Sequence, residues 1–437
     1  MKLPCHVSSC LSRLEESGFA CYAVGGCVRD WLLGRNPQDY DLCTSALPAQ
    51  IRAVFADEKL VLAGEKHGTV GVVTPDGVVE ITTFRTEGDY LDNRHPQWVK
   101  FVDRIEGDLS RRDFTINAMA WSPIWGLADP FGGRQDMENR ILRAVGDPAT
   151  RFQEDSLRIL RGVRFAVRFR LIPDPKTLEA MLSEAHLMEN LARERVFDEL
   201  CKLLPLATAE DLEQYAPILT QVMPELAPTV GFDQHSPHHA YDVFTHTAHV
   251  TAVVAPDLTL RWAALLHDVG KVPAFTTDET GRGHFYGHAQ LSAQMADGLL
   301  RRLKSPTVLR EQVVQLIDLH MTPLPADKKL LRRWLGRLGE EQLRRLLQLQ
   351  QADTASKGIC KDEELAQFAV LEGLLAEILA ENACLQVKDL AIDGRDLMAL
   401  GFSGPAIGAT LNHLLELILD EKLPNDRTAL LNAVKEQ

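Results

Sequence analysis

Strand-like sequence is confined to the first third of this 437-residue chain. Between residues 20 and 130, short apolar runs rich in β-branched residues alternate with Gly, Pro and Asp. The pattern predicts strands at residues 20–24, 59–62, 69–74, 78–84 and 119–121, and helices at 29–33 and 48–55. Long helical patterns take over after about residue 150. The sequence therefore predicts a segregated α+β fold, with a sheet near the N-terminus and helices in the remainder.

Length and charge narrow the classes of protein that the chain can belong to. Its 437 residues predict two to four structural units. Because no apolar run approaches the roughly 20 residues that span a bilayer, and the N-terminus lacks a signal-peptide core, we expect a cytoplasmic protein without membrane contact. The net charge of −14 argues against indiscriminate nucleic-acid binding. Residues 151–202 nevertheless form a basic stripe with ten Lys and Arg residues, which would attract a phosphate-bearing partner.

A glycine turn, an arginine and two carboxylates lie close together near the N-terminus. Gly25 and Gly26 precede Arg29, and Asp39 and Asp41 follow. Alternate residues of a strand point to one face, so the two aspartates project together if this segment is extended. Such a carboxylate pair can bind Mg²⁺, while the glycine turn and the arginine hold a nucleotide triphosphate. A solvated turn is the alternative, since Asp favours turns.

Glu80 is the only acidic residue in the strand predicted at residues 79–85. A third carboxylate on a neighbouring strand can bind a metal ion or assist deprotonation of an attacking hydroxyl group. The alternative is a charged residue at an edge position of the sheet. The next segment, Glu87 to Val99, is rich in Gly, Asp, Asn, Arg and Pro, and is predicted to be a mobile loop of the kind that closes over substrates.

Two further clusters supply candidate nucleotide-binding side chains. Arg111 and Arg112 can neutralise a triphosphate, with a solvated surface pair as the alternative. Residues 154–164 are predicted to form one helix, with one acid and three arginines at spacings of three. Asp155 and Arg158 would then lie side by side and present a donor-acceptor edge to a nucleobase. The alternative is an ordinary intrahelical salt bridge.

A separate set of histidines and aspartates indicates a second metal site. The set comprises His246, His267, Asp268, His288, His320 and Asp353. Imidazole and carboxylate are ligands that transition metals and Mg²⁺ accept. A His-Asp dipeptide by itself is more often structural, but the apolar residues before His267 and the Gly-Lys pair after Asp268 favour a metal site.

The motifs of the first 200 residues resemble those of class II tRNA nucleotidyltransferases, the CCA-adding enzymes. They are Gly25-Gly26 with Arg29, Asp39-x-Asp41, Arg111-Arg112-Asp113, Asp129-Pro-Phe-Gly-Gly133 and Glu154-Asp155-x-x-Arg158-x-x-Arg161, in the family's order. The resemblance covers residues 20–200. Residues 401–408, Gly-Phe-Ser-Gly-Pro-Ala-Ile-Gly, are similar to the family's C-terminal tail.

This resemblance implies an N-terminal nucleotidyltransferase palm of the polymerase-β type, followed by all-α neck, body and tail domains. The expected divisions are a head at 1–140, a neck that binds nucleobase and RNA at 141–228, an HD domain at 229–355, and a tRNA-binding tail at 356–437. The implied reaction adds CCA without a nucleic-acid template. The 3'-hydroxyl group of tRNA attacks the α-phosphate of CTP or ATP, and pyrophosphate leaves. The enzyme would engage the 3' end and acceptor arm of the tRNA.

The resemblance also assigns roles to residues. Asp39 and Asp41 would bind the catalytic Mg²⁺, with Glu80 as the further catalytic carboxylate suggested above. The expected nucleotide-binding residues are Gly25, Gly26, Arg29, Arg111, Arg112, Asp155, Arg158, Arg161 and Arg164. Poly(A) polymerases, which share much of the head, and relatives that add only CC are the alternatives. The loop from Tyr90 to Pro96 resembles the full-length loop of CCA-adding enzymes and favours CCA addition.

The second cluster resembles the HD phosphohydrolase domain. Its four ligand positions would be His246, His267, Asp268 and Asp353, all occupied by competent side chains. The resemblance implies a divalent transition metal there, with hydrolysis of 2',3'-cyclic phosphates as the hypothesis. A metal-dependent hydrolase whose N-terminal part only binds RNA is the alternative from a different class. The intact acidic and arginine motifs of the head argue against it.

Overall fold

The computed structural model describes residues 1–88, 99–235, 240–358, 362–381 and 384–435. The chain divides into two compact units. The first comprises Met1–Ala207 and Gln214–Pro224, and the second Thr208–Glu213 and Glu225–Gln437. Each unit contains one of the two candidate sites predicted from the sequence.

The first unit combines a sheet with short helices and continues as a helical segment. Its strands are β1 (Cys21–Val24), β2 (Asp41–Thr44), β3 (Lys59–Val61), β4 (Thr69–Thr74), β5 (Gly77–Thr83), β6 (Arg85–Glu87), β7 (Val99–Phe101), β8 (Ala120–Ser122), β9 (Gly126–Ala128), β10 (Ile141–Leu142) and β11 (Ile172–Pro173). Its helices are α1 (Cys5–Glu16), α2 (Gly26–Leu32), α3 (Pro48–Val54), α4 (Ile105–Ser110), α5 (Gly133–Glu138), α6 (Pro148–Glu154), α7 (Leu157–Phe169), α8 (Pro175–Ser183) and α9 (Arg193–Leu203). Helix α10 (Ala209–Gln214) lies at the division between the units, and α11 (Ala216–Val222) belongs to the first.

Seven strands form the main sheet in the order β3-β4-β5-β2-β1-β8-β9. Strands β2 and β5 pair in parallel, and the other neighbours in this sheet are antiparallel. The mixed sheet followed by helices confirms the predicted fold class. Strands β1, β3, β4, β5 and β8 lie where the β-branched runs predict them.

Strand β2 is short, and its sequence Asp-Leu-Cys-Thr carries little strand signal of its own. It lies between β1 and β5, and Leu42 and Cys43 are buried. Strand β2 is therefore held in an extended conformation by its two neighbouring strands and by burial. The strand propensity of its own residues does not predict this conformation.

The core beneath the sheet anchors the segments that carry the candidate site. Val24 of β1 and Cys43 of β2 pack in one buried cluster with Phe84, Ile105 and Leu109. The last two lie on α4, which ends just before the paired arginines. Burial of α4 therefore fixes the position of those arginines relative to β2.

The second unit is almost entirely helical. Its helices are α12 (Val243–Val253), α13 (Leu258–Leu266), α14 (Lys271–Ala274), α15 (His288–Arg302), α16 (Thr307–Leu319), α17 (Lys328–Leu338), α18 (Glu340–Ala355), α19 (Asp362–Ala380), α20 (Gly394–Ala399), α21 (Pro405–Leu419) and α22 (Arg427–Lys435). Two short strands, β12 (Thr276–Thr277) and β13 (Gly283–His284), pair with each other. Among the residues described, none of the helices is both long and apolar enough to cross a membrane.

Candidate active site and metal centre

The parallel pairing of β2 and β5 brings two carboxylates together where β2 begins. Leu42 pairs with Ile81, so Asp41 and Glu80, each one residue earlier, are neighbours on the same face. Asp41 retains solvent access. Partial desolvation still raises the pKa of its carboxyl group, Glu80 and Asp39 raise it further, and Arg112 opposes the shift.

Asp39 precedes the strand that contains Asp41, and the common face predicted for the two aspartates stays a prediction. Strand β2 begins at Asp41, which pairs with Val24 at the end of β1. The chain turns into α2 at Gly25, and β2 therefore has no partner on that side before residue 41. Asp39 is nevertheless close enough to raise the pKa of Asp41. The three carboxylates repel one another, and oxygen ligands of this kind fit a divalent cation.

Gly25 sits at the bend between β1 and α2 with a φ of 71°, in the left-handed region. Its backbone N–H donates to the carbonyl oxygen of Met119 over 3.1 Å. A Cβ atom at this position would lie 2.7 Å from Nη1 of Arg112. Glycine therefore permits both the bend and the close approach of the arginine.

Arg29 is buried on α2 and held from three sides. It donates to Oδ1 of Asn117 over 2.6 Å and to Oδ1 of Asp30 over 2.9 Å. Its guanidinium lies 4.5 Å from the ring centroid of Phe169. Asn117 is not among the predicted site residues. The signal that could have found it is a polar residue inside the apolar stretch 114–120.

Arg111 and Arg112 share the fully buried carboxylate of Asp108 on α4. Arg111 donates to Oδ1 over 3.0 and 2.7 Å, and Arg112 to Oδ2 over 3.2 Å. Burial alone would raise the pKa of Asp108, but the two guanidinium groups hold it below its ordinary value. With side-chain exposures of 19%, the arginines do not form the solvated surface pair considered as the alternative.

The predicted helix over residues 154–164 is two helices in the structure. Helix α6 ends at Glu154 and α7 begins at Leu157. Asp155 adopts an extended backbone, and its Oδ1 accepts from the N–H of Leu157 over 3.2 Å. Asp interrupts the helix here because its short side chain satisfies the exposed N–H groups of a new first turn.

The carboxylate of Asp155 and the guanidinium group of Arg158 have different hydrogen-bond partners. Asp155 accepts two hydrogen bonds from Arg195 over 3.3 and 2.8 Å. Arg158 donates instead to Glu154 over 2.6 Å and to the carbonyl oxygen of Arg111 over 2.9 Å. The two residues are nevertheless one turn apart, since the backbone N–H of Arg158 donates to the carbonyl oxygen of Asp155 over 2.9 Å, and both side chains line the same cleft. The nucleobase edge expected of them stays a prediction.

Helix α7 supplies two more arginines, each held by a buried carboxylate. Nε of Arg161 donates to Asp113 over 2.9 Å, and Nε of Arg164 donates to Glu199 over 2.5 Å. Burial would raise the pKa of Asp113, but Arg161 and the amide of Asn117 lower it to about 2. The carboxylates thus fix the guanidinium groups in place.

These side chains line a cleft of about 490 Å³ in the first unit. All nine predicted nucleotide-binding residues border it, together with Asp41. Eight arginines line it against three aspartates, and Phe165 provides an aromatic wall. Asp39 and Glu80 are not among the lining residues. Phe165, Arg168 and Arg195 line the cleft but were not predicted, since only the turn of α7 and the packing of α9 bring them there.

The second unit gathers the predicted metal ligands around Asp268. Nε2 of His267 lies 3.2 Å from Oδ2 of Asp268, and Nε2 of His246 lies 3.6 Å from the same atom. Oδ1 of Asp353 lies 2.9 Å from Nε2 of His246 and 3.9 Å from Nε2 of His267. All four are buried. His246, His267 and Asp268 each place one ligand atom within 4.8 Å of the others, which is close enough to hold one ion, and Asp353 borders this group through His246.

His288 and His320 border the same cluster. Burial lowers the pKa of His320 to about 4, and His267 contributes to the shift. Its imidazole is therefore neutral near pH 7, the form that binds metals. Lys271 forms an ion pair with Oδ2 of Asp268 at 2.7 Å. The donor set of imidazoles and carboxylates fits a divalent transition metal.

The loop predicted between Glu87 and Val99 lies largely outside the described residues, which omit 89–98. Strands β6 and β7 border that segment and pair antiparallel, with Glu87 opposite Val99. The predicted loop residues Tyr90 to Pro96 therefore remain a prediction.

Known protein families match the two units of the chain separately. The family described as "Poly A polymerase head domain" matches residues 21–143, and "Probable RNA and SrmB- binding site of polymerase A" matches 171–228. The family described as "HD domain" matches residues 243–357. The sheet, the arginine-lined cleft and the histidine cluster thus define a nucleotidyltransferase with an HD domain. The nucleotidyltransferase family and the HD family are both metal-dependent.

Full-length relatives identify the family. The CCA-adding enzyme of Levilactobacillus brevis is 35% identical over 433 residues, which cover 97% of this chain and 96% of that protein. The CCA-adding enzyme of Streptococcus thermophilus is 33% identical over 430 residues, or 97% and 95% of the two chains. The crystal structure of the Bacillus stearothermophilus CCA-adding enzyme in complex with CTP matches with a TM-score of 0.70 and 27% identity, covering 100% of this chain and 98% of that one. The chain belongs to the CCA-adding enzymes, which confirms the resemblance stated on the sequence motifs.

Proposed function

We propose that this chain extends the 3' end of tRNA with CCA, using CTP and ATP, and that the arginine-lined cleft binds the incoming nucleotide. One observation carries the proposal. Eight arginines line a single cleft beside Asp41 in a protein of net charge −14. Concentrated positive charge next to carboxylates suits a polyphosphate and the divalent cation that accompanies it.

Within this proposal the residues have distinct roles. Asp39 and Asp41 would hold Mg²⁺, and Glu80 is the neighbouring carboxylate that would assist deprotonation of the attacking hydroxyl group. A Mg²⁺ ion held there would supply a lower pKa for the tRNA 3'-hydroxyl group and compensation for the charge on the transferring phosphoryl group. Gly25, Gly26 and the arginines that follow position the triphosphate for in-line attack, with pyrophosphate as the leaving group.

The base-reading edge proposed for Asp155 and Arg158 needs a rearrangement of hydrogen bonds. Arg195 occupies both oxygens of Asp155, and Glu154 occupies Nη1 of Arg158. A nucleobase that replaces these contacts exchanges one charge-assisted hydrogen bond for another. Arg161 and Arg164 are already fixed by their carboxylates and provide the rigid wall of the nucleobase site.

Addition to a truncated tRNA tests this function directly. The protein is incubated with tRNA lacking its 3' end, Mg²⁺, and labelled CTP, labelled ATP or both. Addition of three nucleotides followed by a stop supports the proposal. A long A tail would instead indicate a poly(A) polymerase, and incorporation of C alone would indicate a CC-adding relative.

The proposal retains the four domains expected from the sequence: a head at 1–140, a neck at 141–228, an HD domain at 229–355 and a tail at 356–437. The tail is proposed to contact tRNA outside the 3' end, which rests on the motif at residues 401–408. Because tRNA, CTP and ATP are the reactants, the proposed reaction takes place in the cytoplasm.

A second activity is proposed for the HD centre, namely metal-dependent hydrolysis of 2',3'-cyclic phosphates. His246, His267, Asp268 and Asp353 would hold the ion there. Their convergence over 2.9–3.9 Å supports this proposal. Protein loaded with Ni²⁺, Mn²⁺ or Co²⁺ that leaves a cyclic phosphate substrate intact would count against it.

A further inference from the structure

Two phenylalanine rings on α7 gather arginines of the cleft around them. Phe165 and Phe169 lie on one face of the helix, and their ring centroids are 6.0 Å apart at an interplanar angle of 25°. The guanidinium group of Arg29 lies 5.4 Å from the centroid of Phe165 and 4.5 Å from that of Phe169. The two rings therefore form a continuous aromatic surface beside Arg29.

Each ring is also contacted by two further arginines. Arg161 and Arg164 lie 5.2 and 4.3 Å from the centroid of the first ring, that of Phe165. Arg35 and Arg168 lie 5.0 and 5.2 Å from the centroid of the second ring. A cation within about 6 Å of a centroid is attracted by the face of the ring. Three guanidinium groups thus surround each ring.

The two rings differ in how the charge of their arginines is compensated. The two further arginines beside the first ring are each hydrogen-bonded to a buried carboxylate. Within the part of the chain that the structure describes, neither Arg35 nor Arg168 forms a side-chain hydrogen bond or an ion pair. Both side chains are exposed, and Arg168 lines the cleft. Uncompensated positive charge therefore lies at the second ring and is open to solvent.

This charge acts on the neighbouring arginine of the cleft. Burial lowers the pKa of Arg29, Asp30 opposes the shift, and the charge of Arg168 lowers the pKa further. Asp30 lies 2.8 Å from the guanidinium group of Arg29 and compensates that one cation. Like charges that face a common ring repel each other, and an anion bound next to them relieves the repulsion.

We propose that Arg35 and Arg168, held against the ring of Phe169, form a phosphate-binding subsite beside Arg29. This inference rests on the proposal that the cleft binds the incoming nucleotide, and it adds two residues to that site. A guanidinium group can donate two parallel hydrogen bonds to the oxygens of one phosphate group. The phosphate belongs either to the nucleotide triphosphate or to the backbone of the tRNA, which offer the same chemistry.

The aromatic ring explains how these arginines can be positioned and still bind an anion. A carboxylate that fixes a guanidinium group also neutralises its charge, as it does for the arginines beside the first ring. A phenylalanine ring restricts the rotamers of the arginine without adding a negative charge. Less side-chain entropy is then lost when a phosphate binds. Phe169 is therefore a positioning residue, which acts through Arg35 and Arg168.

Steady-state addition of the first C to truncated tRNA tests the subsite. Arg168→Gln and Arg35→Gln should each raise the KM for CTP or the KM for tRNA about tenfold, with kcat changed less than about threefold, because a contact to a bound phosphate is lost. A raised KM for CTP identifies the nucleotide as the source of the phosphate. A raised KM for tRNA identifies the RNA backbone, and the salt dependence of tRNA binding should then weaken by about one unit of slope.

Two substitutions of the ring test its positioning role. Phe169→Leu keeps an apolar side chain and removes the aromatic face, and should raise the same KM about threefold to tenfold. Phe169→Tyr keeps the face and should stay within about twofold of wild type. In a protein that already carries Arg35→Gln and Arg168→Gln, Phe169→Leu should add less than about a twofold effect. An undiminished effect in that background would overturn the positioning role.

A matched control and the wild type separate the possible failures. Arg52→Gln removes an exposed arginine that pairs with Glu65 and does not line the cleft, and should change either KM less than about twofold. Thermal unfolding of each variant detects misfolding. If Arg35→Gln and Arg168→Gln leave both KM values within twofold, or raise them no more than Arg52→Gln does, the subsite is overturned while addition by the wild type stands. Absence of addition by the wild type contradicts the proposed function itself.

Discussion

The arginine cleft of the first unit and the histidine centre of the second handle charge in opposite ways. In the cleft, nearly every guanidinium group is hydrogen-bonded to a carboxylate, as Arg161 is to Asp113 and Arg164 is to Glu199. In the centre, a single carboxylate oxygen, Oδ2 of Asp268, lies within 3.6 Å of the imidazoles of His246 and His267 and of the ammonium group of Lys271. The cleft pairs guanidinium groups with carboxylates, whereas the centre gathers imidazoles and carboxylates, the ligand types that a divalent cation accepts.

This difference shows what each region is built to receive. Arginines fixed by carboxylates keep their positions when an anion arrives, so little side-chain entropy is lost on binding. Imidazole nitrogens and carboxylate oxygens grouped in one buried site are the ligands that divalent transition metals accept. The cleft therefore suits a polyphosphate, and the centre suits metal ions.

The largest expected effect tests whether the two regions are independent. Asp41→Asn should reduce nucleotide addition about 1,000-fold or more, because loss of a metal ligand removes several kcal/mol of transition-state stabilisation. Asp268→Asn should leave nucleotide addition unchanged and abolish tight cobalt binding. Addition to truncated tRNA and elemental analysis measure the two properties. A strong effect of Asp268→Asn on addition, with the protein folded, would show that the regions are coupled.

The next effect tests whether buried carboxylates hold the cleft together. Glu199→Ala leaves Arg164 buried without its partner, and should lower the free energy of unfolding of the first unit by about 3–5 kcal/mol. Urea unfolding monitored within that unit measures the change. The matched control is Glu138→Ala, which breaks the exposed Arg134–Glu138 pair and should change stability by less than about 0.5 kcal/mol. Equal effects of the two variants would contradict this account of the cleft.

Local chemistry in the sequence was sufficient to locate both regions. Adjacent ligands such as His267 and Asp268, and the glycine turn before Arg29, are contiguous and so can be recognised without a fold. The predicted strands also coincide with β1, β3, β4, β5 and β8, because β-branched runs report strands well when turn residues flank them.

What the sequence could not show are contacts between distant segments. Asp155 lies one turn before Arg158, as helix periodicity predicts, but its carboxylate accepts hydrogen bonds from Arg195, 40 residues away. The short distance between Asp268 and His288 depends on how the end of α13 packs against the start of α15. Pairing over such separations is set by tertiary structure, which local spacing does not encode.

The acid stability of the cleft provides a smaller test. The pKa of Asp113 is lowered to about 2, below its ordinary value of 3.8, so its ionised form contributes stability that is fully present above about pH 4 to 5. That contribution decreases as the pH falls toward 2. Near pH 3 about half of it, roughly 1 kcal/mol, should be lost. The free energy of unfolding of wild type minus that of Asp113→Asn, measured from pH 7 to 3, should show this decrease.

Arg161→Gln provides the control for this interpretation. Without the guanidinium group the pKa of Asp113 should lie closer to its ordinary value, so the decrease in stability should begin at the same pH, become smaller and end at a higher pH. An unchanged pH profile in Arg161→Gln would show that the ion pair with Arg161 is not what lowers the pKa.

The smallest expected effect separates backbone strain from displacement of an arginine in the cleft. Gly25 and Gly34 have similar positive φ angles of 71° and 68°. A Cβ atom at Gly25 would lie 2.7 Å from Nη1 of Arg112, whereas one at Gly34 would meet nothing within 4 Å. Gly25→Ala and Gly34→Ala should each lower stability by about 1–2 kcal/mol, the penalty for a left-handed residue with a side chain.

Only Gly25→Ala should also impair nucleotide binding, because it pushes Arg112 away from its position beside Asp108. We expect a KM for CTP raised about tenfold, in line with the effect of sub-ångström misplacement of a positioning group. Steady-state addition of the first C to truncated tRNA measures it. If Gly34→Ala raised the KM equally, strain in α2 rather than contact with Arg112 would control the cleft, and the arginines would be less firmly fixed than their carboxylates indicate.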